Sequence, residues 1–410
     1  MVYNLGEALP GELMVEILSR IKIKNLSRLK CVSKSWNRLI SQDASFHMMH
    51  REKSIHKSHF LNLVHWADNP DDEANPTLGF AYADMEDEGT VFRVNSVFSL
   101  PCLLMASFPP VCCDLFCFAT GWNVYVCNPT MKDVHVLPKS PSTHGPSNFV
   151  VDHVIGFGYV VSRKEYVVVN MTRKIIVPNQ KDDHQQQQRA TGEISTEMYI
   201  FGPQSTDPAR SRWRITKHES PRWVKHAGGF VVGENMYWLI TNNDIIGYED
   251  YSLFDNFIRR GNELVLCMDI KSEKFDIIPP PPGWEIETDN MKDDWIRLVD
   301  IKGTLCVTDW SVLMKDSVLE FWALKGGPRD CWVKEISIDM EIGFPGVELN
   351  SRVMFFKSSK EGDIVMCSSV PNKFYIFNVD KGRLVRVTDG FFDEDSTLLL
   401  GFCWESFYTL

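Results

Sequence analysis

Between Leu9 and Phe46 this chain carries three apolar stripes at helical period, whereas almost everything after residue 60 reads as β. The first stripe, Leu13, Ile17 and Ile21 with Met14 and Leu18 beside it, recurs every fourth residue and so lies along one helix face. Leu9-Pro10 opens that helix, because proline in a first turn lacks only an N–H that would have had no partner. Asn25 is placed to cap a second turn carrying Leu26 and Leu29, and Val32, Trp36, Leu39 and Ile40 mark a third. So short a unit cannot cover three stripes by itself. Periodicity leaves two candidates for what covers the remainder: the β body, with Trp36 as the core of a helical cap, or another molecule.

The body shows a recurring unit in which an apolar strand ends in Asn or Asp, turns, and returns. Val124 to Asn128 leads to Val134–Pro138, Leu264 to Asp269 leads to Phe275–Pro279, and Phe374 to Asn378 leads to Leu384–Thr388. The polar residue and the final Pro or Thr are ten residues apart in all three. Glycine turns entering apolar strands recur at Gly121, Gly233, Gly303 and Gly362, and a strand tryptophan follows a polar hairpin at Trp213 and Trp332. Hairpins of this kind at no fixed short period suit propeller blades with loops of varied length, and a two-layer sandwich is the alternative. The expected fold is therefore mainly β with a small α unit at its N-terminal side. Asn179 to Gly192, with Gln185 to Gln188, is a low-complexity loop, and Pro279 to Pro282 marks the end of strand pairing.

Charge and composition narrow the function classes. With 44% hydrophobic and 24% charged residues the 410-residue chain can bury a large core, while a net charge of −11 argues against a nucleic-acid partner. The charge is uneven. Residues 1–60 hold ten basic against five acidic side chains, a net of +5, which leaves −16 elsewhere. A basic unit suits an acidic partner, or simply solvates the outer faces of its helices. The start, with Asn4, Glu7 and Pro10, is unlike a secretory signal, and the stretch Val94 to Cys113 is broken by Pro101, Pro109 and Pro110, so no membrane segment is expected. Eleven cysteines without such a signal point to the cytoplasm or nucleus.

Catalytic motifs are sparse. His47, His50, His56 and His59 form two pairs three residues apart that a helix could turn toward zinc, yet no cysteine or spaced carboxylate completes the set, so no metal is expected. Cys112, Cys113 and Cys117 make no Cys-x-x-Cys pair. Gly156-x-Gly158 lacks the third glycine and lysine of a phosphate loop, no nucleophile elbow is present, and no catalytic residue or cofactor is assigned. Trp122, Trp223, Tyr248, Tyr251, Phe254 and Trp284 fall in or near loops, as partner anchors or as fillers between blades.

Leu9-Pro10, Glu16-Ile17-Leu18, Arg20-Ile21, Leu26, Lys30 to Trp36, Leu39-Ile40 and Phe46 together closely resemble an F-box. The resemblance implies a unit over residues 1–50, a linker over 51–59 and, over 60–410, the F-box-associated, kelch-like β-propeller domain of plant F-box proteins. That second likeness rests on Asn128-Pro129-Thr130, Gly156-Phe157-Gly158-Tyr159 with Tyr166 to Val169, Met198 to Phe201, the strands at Trp238 and Phe275, and Leu319 to Trp322 before Trp332. Departures from the family pattern are Lys22 for a frequent proline, Leu29 for phenylalanine, Val160 for aspartate, and Asp114-Leu115 without a preceding glycine. By this resemblance Leu9, Pro10, Leu13, Ile17, Leu26, Leu29, Val32 and Trp36 form or support a surface for an acidic Skp-type adaptor. Through it the chain would join cullin and RING subunits in an SCF ubiquitin ligase, as a non-catalytic receptor for an unidentified target protein. An F-box protein that binds without promoting degradation, and a propeller enzyme with a site at its channel mouth, are the alternatives. An S-locus type receptor is one conceivable subgroup.

Overall fold

The computed structural model describes residues 10–54, 60–67, 77–85, 92–101, 106–107, 112, 114–120, 123–128, 130–131, 133–141, 149–176, 194–202, 212–224, 228–240, 263–284, 296–309, 318–326, 332–340, 353–355, 363–368, 373–389, 397–403 and 407. Four short helices come first: α1 (Gly11–Leu18), α2 (Ile23–Leu29), α3 (Lys34–Gln42) and α4 (Ala44–Ser54). Pro10 precedes α1, and its carbonyl accepts the first bond, from Met14 N at 3.1 Å. The second helix begins at Ile23 after Lys22, so Asn25 lies inside it and does not cap it. Side-chain caps appear later: Ser33 Oγ accepts from Trp36 N at 3.1 Å, and Asp43 Oδ1 accepts from Phe46 N at 2.9 Å. The fourth helix runs across the expected boundary at residue 50. Leu18, Ile23, Leu26, Ile40 and Phe46 fill the space between the helices, and Phe407, from the far end of the sequence, joins them.

The described strands form six groups of four. In chain order from the second group these are Ala106–Ser107 through Val136, Phe149–Val160 through Ile215, Gly229–Val232 through Ile278, Ile296–Ile301 through Asp339, and Val353–Phe355 through Asp389. Within each, neighbouring strands pair antiparallel in sequence order. The first group is sewn from both ends of the body: the last strand, Thr397–Cys403, pairs with Phe60–Ala67, followed by Thr77–Met85 and Phe92–Pro101. This is how a β-propeller closes its ring.

The core lies between the blades. Tyr166 and Val168 of the third group pack toward the second, on Cys117 and Val126, while Val167 and Val169 pack toward the fourth, on Met236 and Trp238. A strand covered on both faces needs no alternation of polar and apolar residues, which is why Tyr166 to Val169 is continuously apolar. The same layering sets the fourth group against the fifth and the fifth against the sixth.

The repeated hairpins and tryptophans have concrete tasks. Asn128 Oδ1 accepts from Thr130 N at 2.9 Å, Asp269 Oδ1 from Ser272 N at 2.5 Å, and Asn378 Oδ1 from Lys381 N at 2.8 Å, so each polar residue closes its own turn. Trp213 Nε1 donates to Pro138 O and Trp332 Nε1 to Pro279 O, both at 2.6 Å. Each indole thus clips the end of the hairpin in the preceding blade. The apolar stretch from Val94 contributes strands, and among the described residues no helix is long and apolar enough to cross a membrane.

Candidate functional site

On the helical unit, Leu13 and Ile17 stand four residues apart on one face of α1 and are 51% and 49% exposed. Val32, in the turn before α3, is 60% exposed, and Pro10 is exposed beside the start of α1. Three of the eight exposed large hydrophobic side chains among the described residues therefore fall within this small unit, while the other five are spread over the body. The remaining expected positions divide differently. Leu26 is fully enclosed and Leu29 and Trp36 are half-buried, all three within the core of the unit. Leu26 is thus a support for the surface and not part of it, because α2 turns that side chain inward. Leu9 lies outside the described residues.

Polar contacts tie this face to α4. Glu16 accepts from Arg20, in the turn after its own helix, at 2.5 Å and from Lys53 on α4, and Lys53 Nζ also reaches Ser19 Oγ at 2.9 Å. The bond from Lys53, then that from Arg20, holds the Glu16 carboxyl below its usual range. His47 Nε2 meets Ile40 O and His50 Nε2 meets Ile21 O, each at 2.8 Å, so both rings are engaged by backbone carbonyls and not arranged for zinc. His56 and His59 lie outside the described residues.

The unit is bolted to the body at two points. Arg51 donates to Asp114 Oδ1 at 3.1 Å, to the Tyr159 hydroxyl at 3.1 Å and to the Tyr166 hydroxyl at 2.5 Å, and its guanidinium lies 4.3 Å from the centre of the Tyr159 ring. Tyr166 in turn donates to Asp114. Beside this network Lys164 Nζ approaches Glu52 at 3.3 Å. The second point is Phe407, whose ring stacks on His47 at 4.9 Å and sits 6.2 Å from Phe46 and 5.2 Å from His50. Sequence reasoning assigned no such role to Arg51, Asp114 or Phe407; the only hint was Asp114 standing where the family pattern departs.

The body offers little reactive chemistry among the described residues. Burial pushes the Cys267 and Cys306 thiols up to about 12, and those of Cys117 and Cys127 higher, which removes the thiolate a nucleophile requires. Trp223, expected near the surface, is only 1% exposed, and the Arg173 guanidinium lies 4.4 Å over its ring. Trp284 is partly buried against the core between the fourth and fifth blades. Trp122, Tyr248, Tyr251 and Phe254 lie outside the described residues.

Two family descriptions match the chain: an F-box-like domain over residues 7–52 and an F-box associated beta propeller domain over 84–394. Among curated relatives, the F-box protein At3g07870 of Arabidopsis thaliana is 23% identical over 372 residues, covering 88% of this chain and 79% of the relative. The F-box protein At5g65850 of the same plant is 23% identical, covering 92% and 84%. A third, the F-box protein At3g49450, is 26% identical, covering 91% and 83%.

Proposed function

As a member of the F-box-associated β-propeller family with an F-box at its front, this chain is, we propose, the substrate-recognition subunit of a Skp–cullin–F-box ubiquitin ligase. The supporting observation is the exposure of Leu13, Ile17 and Val32 on a helical unit whose other described large apolar side chains are at least half-buried. A Skp-type adaptor covers these side chains and the exposed Pro10, and through the adaptor the cullin and RING subunits are recruited. Removing the Leu13 and Ile17 side chains from water supplies the driving force, at roughly 25 cal/mol per Å² of apolar surface.

The β body holds the target protein. Bond chemistry belongs to the ubiquitin-charged enzyme, and the receptor contributes by raising the effective concentration of target lysines beside it. Compartments in which such a ligase meets its targets, cytoplasm or nucleus, are where the chain acts. The contacts of Arg51 and Phe407 suit this role, because a fixed geometry between adaptor and target limits the volume that the lysines explore.

Titration of purified adaptor against wild-type chain and the double variant Leu13→Asp, Ile17→Asp tests the reading. Both positions are half-exposed and outside the core of the unit, circular dichroism checks that the variant keeps its helices, and the expected result is at least a hundredfold loss of affinity. Equal binding of the two proteins overturns the assignment of this surface.

A further inference from the structure

Both strands that close the propeller ring are tied to the same helical unit. Phe60–Ala67 follows α4 closely in the chain, and its partner Thr397–Cys403 is followed by Phe407, which is buried against Phe46, His47 and His50 of that helix. The register pairs Phe60 with Cys403, so the ends of the two strands nearest the helices lie directly opposite each other. The helical unit is therefore joined to both sides of the seam, by the chain to Phe60–Ala67 and through Phe407 to Thr397–Cys403.

We infer that closure of the ring and completion of the adaptor-binding unit are one coupled equilibrium, with Phe407 as the coupling residue. The inference deepens the adaptor reading above and rests on it for its second consequence. When the last strand separates from Phe60–Ala67, Phe407 leaves the helical core and the support beneath α1 and α3 loosens. When an adaptor holds the helices in place, the site for Phe407 is preformed and the seam is harder to open. Linkage requires the two effects to be equal: adaptor binding protects the seam by the same factor by which closure improves adaptor affinity. A chain whose last strand has not docked is then a poor ligand for the adaptor, so ligase assembly selects closed receptors.

Hydrogen exchange on the full chain decides the matter in two arms. In the first, without adaptor, Phe407→Ala is expected to speed exchange at least fivefold both in Ala44–Ser54 and in the pair Phe60–Ala67 and Thr397–Cys403, with Phe407→Leu between it and wild type. Acceleration confined to the helix, or to neither element, overturns the coupling. In the second arm, adaptor added to wild-type chain is expected to slow exchange in Thr397–Cys403, within the coupling range of about 5- to 150-fold. Bound adaptor with unchanged exchange in that strand also overturns it, and needs no variant to fold. A wild-type chain that binds no adaptor sinks the proposed function, while the first arm still decides whether the seam and the helices are linked.

Discussion

Arg51 is the residue whose loss should be felt most widely. Its side chain and that of Asp114 are almost completely withdrawn from water, and the pair is held by the Tyr159 and Tyr166 hydroxyls as well as by its own contact. Arg51→Ala leaves the Asp114 carboxylate buried without its cation, which costs about 3–5 kcal/mol where such pairs have been broken. Urea unfolding should show that loss, and Arg51→Lys should recover little of it, because an ammonium lacks the planar fork that reaches three acceptors. A midpoint within error of wild type for Arg51→Ala would remove the bolt from the account. His50, next to it in the chain, makes a prediction about pH. Burial first, opposed by the Ile21 carbonyl and helped by nearby His47, lowers its pKa from the ordinary 6.5. The unfolded chain therefore binds the proton more readily than the folded one, so the stability this histidine contributes is complete above about pH 6.5 and declines as pH falls below it. His50→Gln, which keeps a donor for Ile21 O, should flatten stability between pH 7.5 and 5.5, and an unaltered slope in that window would rule out His50 as its source.

At the scale of elements, glycine positions mark where blades touch. The third and fourth groups are joined by one short parallel pairing, Gly156 with Gly229 and Phe157 with Phe230. A Cβ built on Gly229 would lie 2.6 Å from Trp238 Cδ1, and one on Gly156 would lie 2.6 Å from Trp238 Cζ2, so the indole fills the space that side chains would need. Gly229→Ala is expected to cost about 1–3 kcal/mol through overpacking, with faster exchange confined to Phe149–Val160 and Gly229–Val232. Unchanged stability would show that the seam has slack. These features differ in how far they could be read from sequence. The hairpins at Asn128, Asp269 and Asn378 were legible because an Asx residue closes its turn through a bond two or three residues away, a local interaction that leaves a local pattern. Gly156-x-Gly158 was visible as a motif, but its neighbours, Trp238 at Gly156 and Val231 at Gly158, were not, since close approach between blades depends on the whole ring. Asn25 was misplaced as a cap because its side chain suits that position, whereas the helix starts after Lys22 with no side-chain cap and with Ile23 and Leu26 packed in the core of the unit.

For the molecule as a whole, the sequence revealed a helical front and a β body but not how they are joined. Contacts such as Arg51 with Asp114, 63 residues apart, and Phe407 with Phe46 leave no periodicity behind, so nothing in the sequence marked Arg51, on the helix Ala44–Ser54, as an anchor to the body. The number of blades was equally hidden, because connections between strands vary in length and one blade is shared between the two ends of the body. What the sequence does carry at this scale is charge: +5 on residues 1–60 against −16 on the rest. Of the basic side chains, Arg51 is neutralised by Asp114, while in the helical unit Arg28, Lys34 and Arg38 are exposed and Lys30 is half-buried. An acidic adaptor approaching the helical unit is attracted and one approaching the body is repelled, so orientation is selected before contact. Exposed charges separated by more than about 10 Å are largely screened at roughly 0.1 M salt. The association rate with an acidic adaptor should therefore fall at least tenfold between about 0.02 and 0.5 M salt, and the dissociation rate, governed by the apolar contacts of Leu13, Ile17 and Val32, should change far less. Stopped-flow measurement separates the two rates. Salt dependence residing in dissociation instead would mean that the interface is held by ion pairs, and the exposed apolar side chains would need another partner.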